Sequence, residues 1–195
     1  MDKQVIITIG REYGSGGHVI AQDIAKRFNV PYYNRNLIEE VAKQNNFDTD
    51  NIKDYDESPR KYLFSRTVQG YSNSPEEILA GLQFDFIKEK AASGESFVIV
   101  GRCADYVLKE RDNIVNLFVK ASMKFRIDRV ISEYGEAPDK AADIILKNDK
   151  RRANYYNYHV GEKWTNLNNY DMVIRSDFVG IDQTVECICK YLGEK

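Results

Sequence analysis

The sequence predicts an α/β protein built on a parallel sheet, and three observations carry this. Residues 4–9, Gln-Val-Ile-Ile-Thr-Ile, form a nearly continuous β-branched run, as in a strand buried on both faces. A glycine-rich loop and a helix-spaced apolar pattern follow at once. Further apolar strands then alternate with helical stretches, the β-α-β pattern whose crossovers are right-handed.

The elements follow in order. Gly10 to Gly17 hold four glycines in eight residues. Ile20, Ala21, Ile24, Ala25 and Phe28 then recur at helical spacing. Pro31-Tyr32-Tyr33 reads as a short second strand, and helical patterning resumes from Leu37 to Ala42. Residues 45–75 differ in composition: Asn45 to Asn51 is polar and turn-rich, and Asp54-Tyr55-Asp56-Glu57 is acidic. They are expected to form an inserted, mobile helical region between the second and third strands. Ser58-Pro59 and Ser74-Pro75 each look like an N-cap followed by proline at the first helical position. Ser74-Pro75-Glu76-Glu77 also matches a capping box, and Ile78, Leu79, Leu82, Phe86 and Ile87 give an amphipathic helix. Phe97–Val100 is the third strand, ending in Gly101-Arg102. Ile114–Val119 is the fourth, Tyr170–Ile174 the fifth, and Ile181–Leu192 a closing helix. Residues 123–163 read as long, helical and rich in Arg and Tyr.

Length and charge bound the function. The 195 residues fit one domain, and 43% apolar content supplies a core. Lys plus Arg total 28 against 30 Asp plus Glu, a net charge of −2, which lacks the basic excess of a general nucleic-acid binder. Phosphate chemistry must then come from locally placed cations. No apolar run approaches the roughly 18 residues of a membrane helix, and Met1 to Gly10 reads as a strand, not a secretory signal. Cys103, Cys187 and Cys189 are an odd count, the last two too close for a disulfide framework. A reducing, cytoplasmic setting is expected, with Cys187 and Cys189 as core and boundary residues of a helix.

Tyr13-Gly14-Ser15-Gly16-Gly17-His18 sits between the first strand and the first helix. Glycines there let backbone N–H groups approach a phosphate, and the helix N-terminus adds positive potential. Set against G-x-x-x-x-G-K-[ST] with Gly16 as the second glycine, the loop departs in three places. Arg11 stands at the first glycine, Gly17 at the lysine, and His18 at the Ser or Thr that normally holds Mg²⁺. Arg11 is positioned to restore the missing charge. His18 reads as a polar helix-start residue near the phosphates, since Mg²⁺ prefers oxygen.

Residues 7–18, Ile-Thr-Ile-Gly-Arg-Glu-Tyr-Gly-Ser-Gly-Gly-His, resemble the opening of the cytidylate kinase-like family, a branch of the P-loop nucleoside monophosphate kinases. Further resemblances run down the chain in order. They are Pro31 to Ile38, Val98 to Asp105, Ala121-Ser122 with Arg126 and Arg129, Asp149 with Arg152 and Tyr155, and Tyr170-Asp171. The resemblance implies a three-layer α/β/α P-loop kinase fold with a five-stranded parallel sheet. It also implies a helical acceptor-binding insertion, about residues 36–92, and a helical lid, about 136–165. It implies transfer of the γ-phosphoryl group of ATP, with Mg²⁺, to CMP or dCMP. Asn34 stands where the family pattern expects Asp.

On this resemblance ATP phosphates rest on Arg11, Tyr13, Gly14, Ser15, Gly16, Gly17 and His18. The acceptor lies among Asn34, Arg35, Arg102 and Asp105, the two arginines holding its phosphate through the guanidinium fork. Arg126 and Arg129, three apart on one helix face, lie over the ATP base or phosphates, or else on a solvated face. Arg151 joins them in the lid, and Arg152 swings onto the transferring group with Arg11 as a second catalytic cation. Asp149 is a Mg²⁺ partner through water or orients Arg152, and no residue is assigned as a direct metal ligand. Tyr155, Tyr156 and Tyr158 read as lid or core packing. Two further readings stay open: a nucleotide-binding regulatory protein without turnover, and a kinase for another small-molecule acceptor. Small-molecule nucleotides are the expected partners, and homo-oligomerisation is left open.

Overall fold

Ile6, Ile7 and Ile9 are each at most 2% exposed, so the first strand lies at the centre of its sheet. The computed structural model describes residues 4–34, 36–45, 67–68, 71–72 and 74–193. Five strands form the sheet: β1 (Ile6–Arg11), β2 (Tyr32–Tyr33), β5 (Phe97–Val100), β6 (Ile114–Lys120) and β7 (Met172–Arg175). Their order is β2-β5-β1-β6-β7 and every pairing is parallel. The register sets Ile9 beside Val100 on one side and Leu117 on the other.

Because side chains alternate along a strand, β1 feeds two cores. Ile7 and Ile9 pack with Ile20, Ile24 and Ile188 of helices α1 (Gly17–Phe28) and α8 (Ile181–Tyr191). Ile6 packs with Leu37 and Val41 of α2 (Asn36–Asn45) and with Phe86 and Ile87 of α3 (Pro75–Ala92). The continuous β-branched run is thus the mark of a strand covered on both faces. The remaining helices are α4 (Ala104–Val107), α5 (Met123–Tyr134), α6 (Ala141–Val160) and α7 (Ser176–Val179).

The structure refines several sequence expectations. The long 123–163 helical stretch is two helices, because Gly135 takes a left-handed φ of 70° as the C-cap of α5. Between α2 and α3, the described residues of the 45–75 segment include a short hairpin where helix was expected. Its β3 (Thr67–Val68) and β4 (Tyr71–Ser72) pair antiparallel, as suits β-branched and aromatic residues. Most of that segment, Ser58-Pro59 included, lies outside the described residues. Pro75 does open α3, but the Ser74 side chain does not cap it: its hydroxyl donates to Glu76, and Glu77 accepts from Tyr158 of α6. α3 is also less amphipathic than its spacing implied, burying Glu76 and Gln83 while leaving Ile78 exposed.

None of the three cysteines forms a disulfide, with Cys187 exposed and Cys189 buried on α8, as their spacing implied. Among the described residues no helix is long and apolar enough to cross a membrane.

Candidate functional site

The C-terminal ends of β1 and β5 are where ligands of open α/β sheets bind, and two of the predicted arginines lie there. The loop from Glu12 to Gly16 follows β1 and delivers the chain into α1, so its backbone N–H groups cluster at a helix N-terminus. Gly14 has φ +81°, and a Cβ there would stand 2.9 Å from the Arg126 carbonyl oxygen. Only glycine takes this conformation against this wall. Ser15 donates to the Glu12 carbonyl at 2.8 Å, and Ser176 donates to the Ser15 carbonyl at 2.6 Å. The loop is therefore tied to itself and to the end of the last strand.

A buried cation holds the loop from below. Arg126 Nε donates to the Tyr13 carbonyl at 2.7 Å, and its guanidinium pairs with Asp149 and, at 3.2 Å, with Glu12. The Tyr13 N–H donates to Asp149 at 2.7 Å, and Glu12 accepts from the Ala121 N–H at 3.0 Å. Arg126 thus neither lies on a solvated face nor lines the cleft above the loop, and Asp149 faces Arg126 and Tyr13 instead of Arg152. Both hold the loop in place. Sequence reasoning missed Glu12, although a carboxylate in a phosphate-type loop is itself a sign that a cation waits nearby. Arg129 passes beside the same loop, its Nε 3.8 Å from where a Cβ on Gly16 would stand. Arg151 instead donates to Asn148 at 3.3 Å, within α6.

Above the loop is a cleft of about 310 Å³ lined by Arg11, Gly14, Gly16, Gly17, His18, Asn34 and Arg152, among others. A smaller cavity of about 30 Å³ adjoins it, lined by Arg11, Arg102, Arg152, Asp105 and the aromatic residues Tyr155, Tyr156, Trp164 and Tyr170. Arg11 and Arg152 line both. Arg152 reaches over from α6: its Nη1 donates to the Arg11 carbonyl at 3.0 Å, and its Cζ lies 5.4 Å from the Tyr13 ring centroid, within cation–π range. Arg102 is only 2% exposed. It follows Gly101 in a turn where Arg102 and Cys103 take left-handed φ of 60° and 51°. Such backbone costs about 1–2 kcal/mol per residue and is tolerated where it aims a side chain. Here it turns a guanidinium into the cavity. Arg35 lies outside the described residues.

His18 stands at the mouth of the cleft. Its Nδ1 is 2.5 Å from the Tyr32 hydroxyl and 2.8 Å from Asn34 Nδ2. Burial pushes the Tyr32 phenol up to about 12, opposed by the nearby charges of Arg11 and Arg102. Tyr32 was legible only as a strand residue.

Asp105 pairs with a tyrosine and not an arginine: Tyr156 donates to it at 2.6 Å and accepts from Asn169 at 3.1 Å. Burial pushes the Asp105 carboxyl above its ordinary range, with the Tyr156 bond opposing. A carboxyl raised on folding binds more protons folded than unfolded. Stability therefore falls as pH rises from the ordinary carboxylate value through the raised one. Asp105→Asn keeps an oxygen for Tyr156 and removes this dependence. In thermal melts the variant should gain on the parent as pH rises across that window, and a constant difference would sink the assignment.

The arrangement gathers cations and backbone donors at the carboxyl edge of a parallel sheet, and comparisons with known proteins bear on the family and the fold. Residues 6–177, from the start of β1 past β7, match the cytidylate kinase-like family. A cytidylate kinase of Methanococcus vannielii is 25% identical over 181 residues, covering 88% of this chain and 90% of that protein. The crystal structure of an uncharacterized protein from Eubacterium ventriosum has a TM-score of 0.78 at 32% identity, covering 98% of this chain and 100% of that one. Shikimate kinase from Bacteroides thetaiotaomicron has a TM-score of 0.58 at 15% identity, over 96% and 98%, a likeness of fold. The fold is that of the P-loop kinases, and with a family match that takes in the whole sheet, this chain belongs to the cytidylate kinase-like family.

Proposed function

We propose that this chain transfers the γ-phosphoryl group of ATP to a small anionic acceptor, with CMP or dCMP first among them. The observation that carries the reading is the convergence of Arg11, Arg102 and Arg152, from three separate parts of the chain, on the smaller cavity, with Arg11 and Arg152 also lining the adjoining cleft beside a helix N-terminus. Phosphoryl transfer needs positioning and cations more than covalent chemistry. The loop N–H groups and α1 hold the donor phosphates. Arg102 holds the anionic group of the acceptor, and Arg152 offsets charge on the group in flight. The bond to the ADP oxygen breaks, the bond to the acceptor oxygen forms, and ADP leaves. CMP is favoured because relatives matched along most of the chain are named cytidylate kinases.

Residues 36–92 then form the acceptor side and 136–165 the lid. In that lid Tyr155, Tyr156 and Trp164 share a buried cluster with Cys103 and Phe118, next to Arg102. Among the described residues no cluster makes a protein site for Mg²⁺. Position 18 offers imidazole, which the hard ion disfavours, and the two carboxylates that touch the loop, Glu12 and Asp149, are taken by Arg126. No step above is routed through the ion.

The test is ADP release with Mg-ATP across CMP, dCMP, UMP, AMP, GMP, shikimate and no acceptor. Release that depends on CMP or dCMP is the expected result. Release with a different acceptor would move the substrate and keep the reaction. A flat response with ATP still raising the melting temperature would favour a nucleotide-binding protein without turnover.

A further inference from the structure

We infer that the loop's cation has exchanged its address, from position 17 to position 11, and that at position 11 it faces both substrates at once. The inference rests on the phosphoryl-transfer reading for its ligands but on packing alone for the exchange. In the usual motif glycine stands first and lysine seventh. Here the first position is Arg11 and the seventh Gly17. A Cβ built on Gly17 would stand 2.6 Å from Arg11 Cβ, 3.2 Å from Arg11 Cγ and 3.4 Å from Val119 Cβ. Real Cβ atoms do not approach carbon at 2.6 Å. The obstacle cannot swing away either, because Arg11 Cβ is fixed to a central strand whose residue 11 pairs with Val119. A side chain at 17 and a side chain at 11 therefore exclude one another. Glycine first with lysine seventh is one solution to this packing, and Arg11 with Gly17 is the other.

The two solutions differ in where the charge goes. A residue at 17 projects from the first turn of α1, beside the loop cleft. Arg11 leaves the end of β1, 9% exposed, and lines both the loop cleft and the smaller cavity that holds Arg102. Arg152 docks on its carbonyl at 3.0 Å and lines the same two spaces. The relocated cation thus stands between the donor phosphates and the acceptor's anionic group, within reach of either.

Packing and ligand contact are tested separately. For packing, Gly17→Ala is melted in the parent and in the Arg11→Gly background. The alanine should lower the melting temperature when Arg11 is present and leave it nearly unchanged in the Arg11→Gly background. Equal effects in both backgrounds would overturn the exclusion, whatever the protein binds. For ligand contact, Arg11→Gly should weaken ATP binding by calorimetry about ten- to a hundredfold, the size of one charge-assisted contact. The double variant Arg11→Gly/Gly17→Lys should recover ATP affinity to within about threefold, because it rebuilds the usual loop. It should leave the acceptor KM raised, because the new lysine is no longer shared. ATP affinity unchanged in Arg11→Gly, or a double variant no better than the single, would overturn the exchange of address. Full recovery of both substrates would overturn the shared contact. If the parent itself binds no ATP, the phosphoryl-transfer reading fails while the melting experiment still decides the exclusion.

Discussion

Arg126→Met is expected to lower stability by about 3 kcal/mol, the lower end of the cost of removing one member of a buried ion pair, and the melting temperature by roughly 10 °C. The Arg126 side chain is 5% exposed and sits between Glu12 at 24% and Asp149 at 20%. Removing it leaves two carboxylates facing each other beneath the loop and strips the Tyr13 carbonyl of its donor at 2.7 Å. Water still reaches both carboxylates in part, which keeps the loss from the upper end of the range. The cause can be isolated. In a Glu12→Gln/Asp149→Asn background the same substitution should cost much less, because no uncompensated charge remains and methionine fills the guanidinium stem's volume. Urea and thermal unfolding of the four proteins measure this. A loss under about 1 kcal/mol in the parent would mean that Arg126 is an ordinary surface arginine. Nucleotide affinity should fall with the loop, since Arg126 and Asp149 hold Tyr13 by its carbonyl and its N–H.

What the sequence made legible follows from the range of the interactions. β1, the loop and α1 are contiguous, so their β-branched run, glycines and apolar spacing announce them directly. Arg126 was not legible, because its role is set by a carbonyl 113 residues away and a carboxylate 23 residues away. Its spacing from Arg129 reported only that the two share a helix. The Tyr158 contact to Glu77 was not legible for a similar reason, since it comes from α6, 81 residues away. Arg102 was legible as the residue after a buried strand. The consecutive left-handed residues that turn it inward were not, since neither arginine nor cysteine favours that backbone. Gly17 was visible as a departure from a motif, yet its reason lies in the proximity of Arg11 Cβ, a distance no spacing rule contains.

Arg152→Ala is expected to lower kcat by about a thousandfold, the lower bound for an arginine that neutralises a transferring phosphoryl group. That is about 4 kcal/mol of transition-state stabilisation. Its stability should barely change, in contrast to Arg126, because Arg152 is half-buried and its contacts include a neutral carbonyl and the face of Tyr13. One such hydrogen bond contributes about 1 kcal/mol. The two arginines lie on adjoining sides of the same loop, so the contrast separates holding the site from acting in it. Arg152→Lys sharpens the test. Lysine keeps the charge but loses the planar fork that can donate to the Arg11 carbonyl and to a phosphate oxygen together. It should recover part of the rate and remain about ten- to a hundredfold below the parent, as fits the loss of one charge-assisted bond. ATP affinity should move much less than kcat in both variants, the signature of a contact made mainly in the transition state. Steady-state kinetics with the acceptor identified by the panel, together with ATP calorimetry, supply both numbers. A kcat within threefold of the parent would remove Arg152 from the chemistry. An equal loss in affinity and kcat/KM with kcat intact would make it a binding residue for ATP, leaving the transferring group to Arg11 and Arg102.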